Sequence, residues 1–143
     1  MLADGSQIAI KDVRPGDSLW NPITEQVVVV AVKTENPPSA GMMEIGYGDH
    51  TVLLTSNHPV FTQNGLKTAK ELTFDDYLLG DDGKFHQVTV LRDLPIDPLS
   101  KVMNLLFVGT DQKVNDNYLV SNGIVTGNLL LQLMLAGKVQ LPG

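Results

Sequence analysis

The chain has 143 residues, 43 % hydrophobic and only 18 % charged, with a formal net charge of −6 and a pI near 4.8. That length supports one domain with its own core, and the acidic balance argues against nonspecific binding to DNA or anionic lipid, which needs clustered Lys and Arg. Cysteine is absent, which removes a disulfide framework, a thiolate zinc site and a Cys nucleophile from this sequence.

The opening Met1-Leu2-Ala3-Asp4 has neither the basic region nor the apolar run of a secretory signal. Ile8 and Ile10 alternate with polar and small neighbours, so Gln7 to Val13 reads as a half-buried strand. Arg14-Pro15-Gly16-Asp17 is a turn, and Ser18-Leu19-Trp20 resumes a strand. The β-branched run from Glu25 to Thr34 predicts a strand buried on both faces, or one that bends between two sheets. Asn36 to Gly41 is a loop. Met42 to Tyr47 and Thr51 to Leu54 pair as a hairpin across Gly48-Asp49.

Further on, Gln63-Asn64-Gly65 is a turn, and Thr68 caps a short helical turn with Glu71 three residues along. Asp81 to Lys84 turns a hairpin between Tyr77–Leu79 and Phe85–Leu91. Lys101 to Val108 and Tyr118 to Thr126 add strands, the latter turned at Asn122-Gly123. Short strands at close spacing with Gly and Asn turns predict an all-β fold. After Asn128 the character changes. Leu129 to Ala136 is an apolar, helix-like run ended by Gly137, too short to span a membrane. It either packs on the domain or opens a downstream flanking sequence.

Four separated stretches carry a family resemblance. Asp4-Gly5-Ser6 with Gly16-Asp17 is similar to the first block of the Hint family, the self-processing module shared by inteins, bacterial intein-like domains and hedgehog C-terminal domains. Thr55-Ser56-Asn57-His58 followed by Pro59-Val60-Phe61 resembles its second block. Asn104-Leu105 and Asn117 to Val120, then Asn122 to Val125, resemble the last two, ending at Asn128. The resemblance implies an all-β horseshoe of short strands in pseudo-two-fold halves, spanning residues 1–128, with residues 129–143 as a flanking, extein-like segment.

It also implies chemistry. In the family a Cys or Ser at the first position attacks the preceding peptide bond, so the substrate is built in and proximity comes from the fold. His58 takes by position the role of proton donor to the leaving nitrogen, for which a near-neutral pKa is suited. Thr55 would hold that scissile peptide. At the other end the Asn128 side-chain amide would attack its own carbonyl carbon, closing an aminosuccinimide and cutting before Leu129.

The departures narrow this. In one register the first nucleophile lies a strand upstream of Asp4, so the domain lacks the usual first strand; in another, Met1 stands in its place. Gly127 stands where the family usually has His, and Leu129 where splicing members have Cys, Ser or Thr. The expected function is therefore an intein-like domain confined to Asn128-dependent C-terminal cleavage or inactive. The alternative is a degenerate, non-catalytic Hint scaffold that binds or presents its flanking segments. The candidate residues are Thr55, His58, Gly127 and Asn128, each of which has an ordinary turn or cap role as its alternative. His50 and His86 read as exposed strand residues, and the Asp pairs 75–76 and 81–82 as solvated turns. No cofactor or metal is expected, and the expected partner is the chain's own flanking polypeptide acting in cis on a monomer, with no nucleic acid and no membrane.

Overall fold

A computed structural model of the chain describes residues 1–6, 8–36, 41–95, 102–109 and 113–140. Twelve strands form three sheets among these residues. The first contains β1 (Ser18–Asn21), β2 (Gln26–Asn36) and β10 (Val102–Phe107) in the order β1-β2-β10. The second orders β4 (His50–Thr55), β3 (Met42–Tyr47) and β9 (Val90–Leu94). The third runs β11 (Tyr118–Ser121), β12 (Ile124–Gly127), β5 (Pro59–Thr62), β7 (Tyr77–Leu79) and β8 (Phe85–Gln87), with β6 (Gly65–Thr68) beside β5. One helix, α1 (Leu129–Leu135), follows β12 directly.

The turn chemistry is where the sequence puts it. Asn122 and Gly123 both have positive φ, at 49° and 80°, the geometry that matches a two-residue hairpin to the strand twist. Thr68 donates from its backbone N and its hydroxyl to Glu71 Oε1 at 3.1 and 2.6 Å, closing the short 3₁₀ turn Ala69–Glu71. Gly137 ends α1 in a left-handed conformation. Its N bonds Met134 O, and Lys138 N bonds Leu133 O, the paired bonds of a Schellman stop.

Three expectations change. Gln7 lies outside the described residues, and the rest of the stretch to Val13 forms no strand. Asp12 N bonds Ala9 O and Val13 N bonds Ile10 O, so the backbone turns on itself, burying Val13 and leaving Ile10 exposed. The β2 run is not buried on both faces: Val30 is buried, whereas Val27, Val29 and Val32 are exposed. It changes partner instead, pairing β1 through residues 26–29 and β10 through residues 30–36, with a register shift between Leu106 and Phe107. Asp76 is no solvated turn residue. It is buried and accepts from Thr73 N, Gln63 Nε2 and Lys67 Nζ. The loop residues 37–40 lie outside the described residues.

Two larger apolar clusters fill the interior. One gathers Met43, Ile45, Val60, Leu78, Val88 and Ile124 between the second and third sheets. The other gathers Val13, Leu19, Val30, Leu105, Phe107 and Leu119 under the first sheet. A third, smaller cluster seats α1, with Leu131 fully buried beside Tyr118 and Val125.

Candidate functional site

The Thr55–His58 turn lies between β4 and β5. His58 N bonds Thr55 O at 3.0 Å, closing the turn. Ser56 N reaches Gly41 O, while Lys70 N and Ala69 N return to Ser56 O and His58 O. The turn is thus bonded from both sides, and Pro59 then fixes the entry to β5. Thr55 is 4 % exposed, and its hydroxyl has no hydrogen-bond partner. Such an orphan is uncommon in a folded interior, because it costs about 1–3 kcal/mol.

His58 and Thr55 line one cavity of about 630 Å³, together with Met1, Leu53, Val120 and Ser121. Part of the imidazole surface meets this cavity, so His58 is half-buried. The protein around the ring is nonetheless closed enough that desolvation pushes its pKa down to about 4, against a hydrogen bond to the Gly127 backbone that favours the charged form. A backbone bond of that sign is one donated to the carbonyl. The expected near-neutral pKa is thereby corrected: at neutral pH the ring is an uncharged imidazole. One N–H is committed to Gly127, leaving the other nitrogen as a potential acceptor.

Asn128 lies one residue beyond that contact. It is 1 % exposed and extended, with φ −91° and ψ −171°. Its Nδ2 donates to Asn117 Oδ1 at 2.8 Å, and its Oδ1 accepts from Leu131 N at 3.2 Å. Its backbone N bonds Asn117 O, and its carbonyl accepts from Gln132 N. Asn128 is therefore the N-cap of α1.

The two side-chain bonds oppose each other chemically. Donation to Asn117 raises electron density on Nδ2. Acceptance at Oδ1 draws the amide lone pair toward oxygen and makes Nδ2 a poorer nucleophile.

Gly127 has no room for a side chain. A Cβ there would sit 2.7 Å from Pro59 Cγ and 2.8 Å from Leu131 Cδ1. The ring that follows His58 and the buried anchor of α1 fill the space a larger residue would take.

The structure thus brings His58, Gly127 and Asn128 together, and sets Thr55 and His58 on the wall of the cavity that Met1 also lines. Asn117 is the residue that sequence reasoning missed as a partner of the terminal amide. It is fully buried, with its Nδ2 on Lys113 O. A signal existed: a strongly polar residue opens an otherwise apolar strand. Gln132 was also missed. It accepts from Asn104 Nδ2 and donates to Asn57 Oδ1, tying α1 to β10 and to the Thr55–His58 turn.

Comparison with known proteins gives a structural likeness without a sequence match. No family model matches the chain, and no curated protein matches it. Among solved structures, a bacterial intein-like domain from Clostridium thermocellum is 21 % identical with a TM-score of 0.72, over 90 % of this chain and 92 % of that one. A DnaB intein from Synechocystis is 18 % identical with a TM-score of 0.70, over 89 % and 91 %. The gp41-1 intein is 17 % identical with a TM-score of 0.68 over the same shares. The chain has the Hint fold.

The all-β expectation and the intein-like architecture hold. In this Hint fold the remaining histidines lie elsewhere. His86 stacks on Tyr47 with centroids 4.2 Å apart and pairs with Asp82, while His50 tilts against the same ring. His86 is half-buried rather than exposed. No group of three or more His, Asp or Glu among the described residues is placed to hold a metal. No helix among them is long and apolar enough to cross a membrane.

Proposed function

We propose that this Hint-fold chain is an intein-like self-processing domain whose chemistry is cleavage of its own backbone after Asn128. The observation that carries the reading is the convergence on Gly127-Asn128. His58 bonds the Gly127 carbonyl from one side, and Asn117 holds the Asn128 amide nitrogen from another. In the step, Nδ2 attacks the Asn128 carbonyl carbon. The bond to the Leu129 nitrogen breaks, a proton passes from Nδ2 to that nitrogen, and a succinimide remains. Atoms balance without water or cofactor. The Gln132 N–H already bonded to the Asn128 carbonyl is placed to favour charge developing on that oxygen.

The same geometry makes the step slow. The Asn128 side chain has to leave Leu131 N before it can fold back on its own carbonyl, and no His stands at position 127. Residues 1–128 act as the processing unit and residues 129–143 as its leaving segment.

A second reading is favoured by one observation: both polar ends of the Asn128 amide are satisfied within a buried site. In that reading the domain is a scaffold that presents α1 and does not cut. Intact mass during incubation at neutral pH, beside Asn128→Ala, separates the two. Release of the peptide from Leu129 to Gly143 in the unmodified chain alone supports processing. An unchanged mass over days leaves the scaffold.

A further inference from the structure

The cavity next to Thr55 and His58 has a use that cleavage after Asn128 does not draw on. It lies between the outer strands of two sheets. β4 pairs only with β3, and β11 pairs only with β12, among the described residues. Both line the cavity, through Val52 to Thr55 on one side and Leu119 to Ser121 on the other. The backbone alternation of β4 turns the polar groups of Thr51, Leu53 and Thr55 away from β3, and Thr51 O is met there by Asn122 Nδ2. On β11 the outward groups include Val120 O, which takes the backbone amine of Met1 at 2.8 Å. That edge already accepts one extended backbone.

The lining is apolar, with Ile8, Ile10, Leu53, Met103 and Leu105 among its side chains, and its one charged residue is Lys11. Leu53 is 58 % exposed and Ile10 43 %, so large apolar groups stand at the cavity without cover. In this apolar wall Thr55 Oγ1 is buried and unpartnered. The volume of about 630 Å³ falls within the range of sites that enclose a ligand of several residues.

We propose that this cavity is a docking site for an extended, uncharged polypeptide strand. The strand adds its backbone to the edges of β4 and β11 and donates a hydrogen bond to Thr55 Oγ1. Strand addition of this kind draws affinity from main-chain bonds and selectivity from alternate side chains. It accounts together for the two sheet edges, the uncovered Leu53 and Ile10, and the orphaned hydroxyl. The lack of clustered cations in the lining disfavours nucleic acid or phosphate as the occupant.

The test uses the full chain carrying Asn128→Ala, so that cleavage cannot complicate it. The probe is the capped pentapeptide acetyl-Val-Ser-Val-Thr-Val-amide, titrated while backbone amide shifts are followed by NMR. Saturable shifts centred on Leu53, Thr55 and Val120 are expected. Leu53→Lys should weaken binding at least tenfold. Thr55→Val should weaken it severalfold without lowering the melting temperature, which separates lost docking from lost folding.

The same peptide with N-methylated backbone amides should bind at least tenfold more weakly. Equal binding of the N-methylated peptide would overturn strand pairing and leave a nonspecific apolar pocket. Absence of saturable shifts at millimolar peptide, or shifts that depend on protein concentration alone and mark self-association, would also overturn it. Because the Asn128→Ala chain cannot cut, each of these results is independent of the cleavage assay.

Discussion

Asn117 Oδ1 accepts the Asn128 side-chain N–H at 2.8 Å in a fully buried pair. The residue that opens β11 therefore sets the rotamer of the residue that ends the domain. The hairpin β11–β12 carries both, so its register fixes the orientation of the terminal amide.

Asn117→Ala is expected to leave Asn128 Nδ2 buried without an acceptor. It should cost about 1–3 kcal/mol in denaturant unfolding, and any release of the Leu129–Gly143 peptide should fall with it. Asn117→Asp keeps the acceptor for Nδ2 but gives up the donor to Lys113 O. Retained cleavage in Asn117→Asp and loss in Asn117→Ala would show that the acceptor matters. Equal rates in both would remove Asn117 from the mechanism.

The cap on α1 can be tested apart from its packing. Leu131→Pro removes the N–H that Asn128 Oδ1 accepts, at a position in the first turn that tolerates proline. Leu131→Ala keeps that N–H and removes the buried side chain. If the cap restrains Asn128, Leu131→Pro cuts faster than Leu131→Ala in a mass time course. The reverse order would mean that helix packing, not capping, holds the amide.

Gly127→Ala should destabilise the chain by about 1–3 kcal/mol, because Pro59 and Leu131 occupy the space of a Cβ. Gly127→His is then expected to displace α1 rather than restore faster chemistry. The checks are thermal unfolding and the amide shifts of residues 129–135. A stable Gly127→His chain with α1 undisturbed would contradict this packing argument.

The depressed pKa of His58 gives the fold a definite acid sensitivity. The folded value is about 4 and the unfolded value about 6.5. Between them the unfolded chain holds the extra proton, so stability rises with pH across that window and is lost as pH falls from about 6.5 toward 4. The span is on the order of 3 kcal/mol. Urea midpoints measured at several pH values should show this slope, and His58→Gln should flatten it. An unchanged slope in His58→Gln would assign the acid sensitivity to other groups.

Thr55→Val removes an unpartnered hydroxyl and keeps the side-chain shape. It should raise stability by about 1 kcal/mol or leave it unchanged. A clear loss would show that the hydroxyl does have a partner in solution.

Much of this was legible in the chain, for local reasons. Gly65, Gly83 and Asn122-Gly123 demanded positive φ and marked their turns correctly. The Thr55–His58 spacing and the terminal Asn128 marked the two places that meet at Gly127. What was not legible depends on contacts made far along the sequence. The alternation of Ile8 and Ile10 signals a strand only where a neighbouring edge can take it, and here the backbone turns instead. The β2 valines signal burial, yet half of them face outward because the strand is shared between β1 and β10 in succession. The pairing of Asn117 with Asn128 needs the hairpin register, and the drop in the His58 pKa needs the closed shell around the ring. Neither is a property of residue spacing.

The dual position of Asn128, as last residue of the domain and first support of α1, gives any cut there a direction. Once the bond to Leu129 is broken, the departing segment no longer carries the acceptor for Leu131 N. A seven-residue helix is far too short to persist by itself in water, so the released end unravels, and rejoining would require it to refold against the site first. The contact that slows the forward step thus also removes the way back, and the structure works as a ratchet.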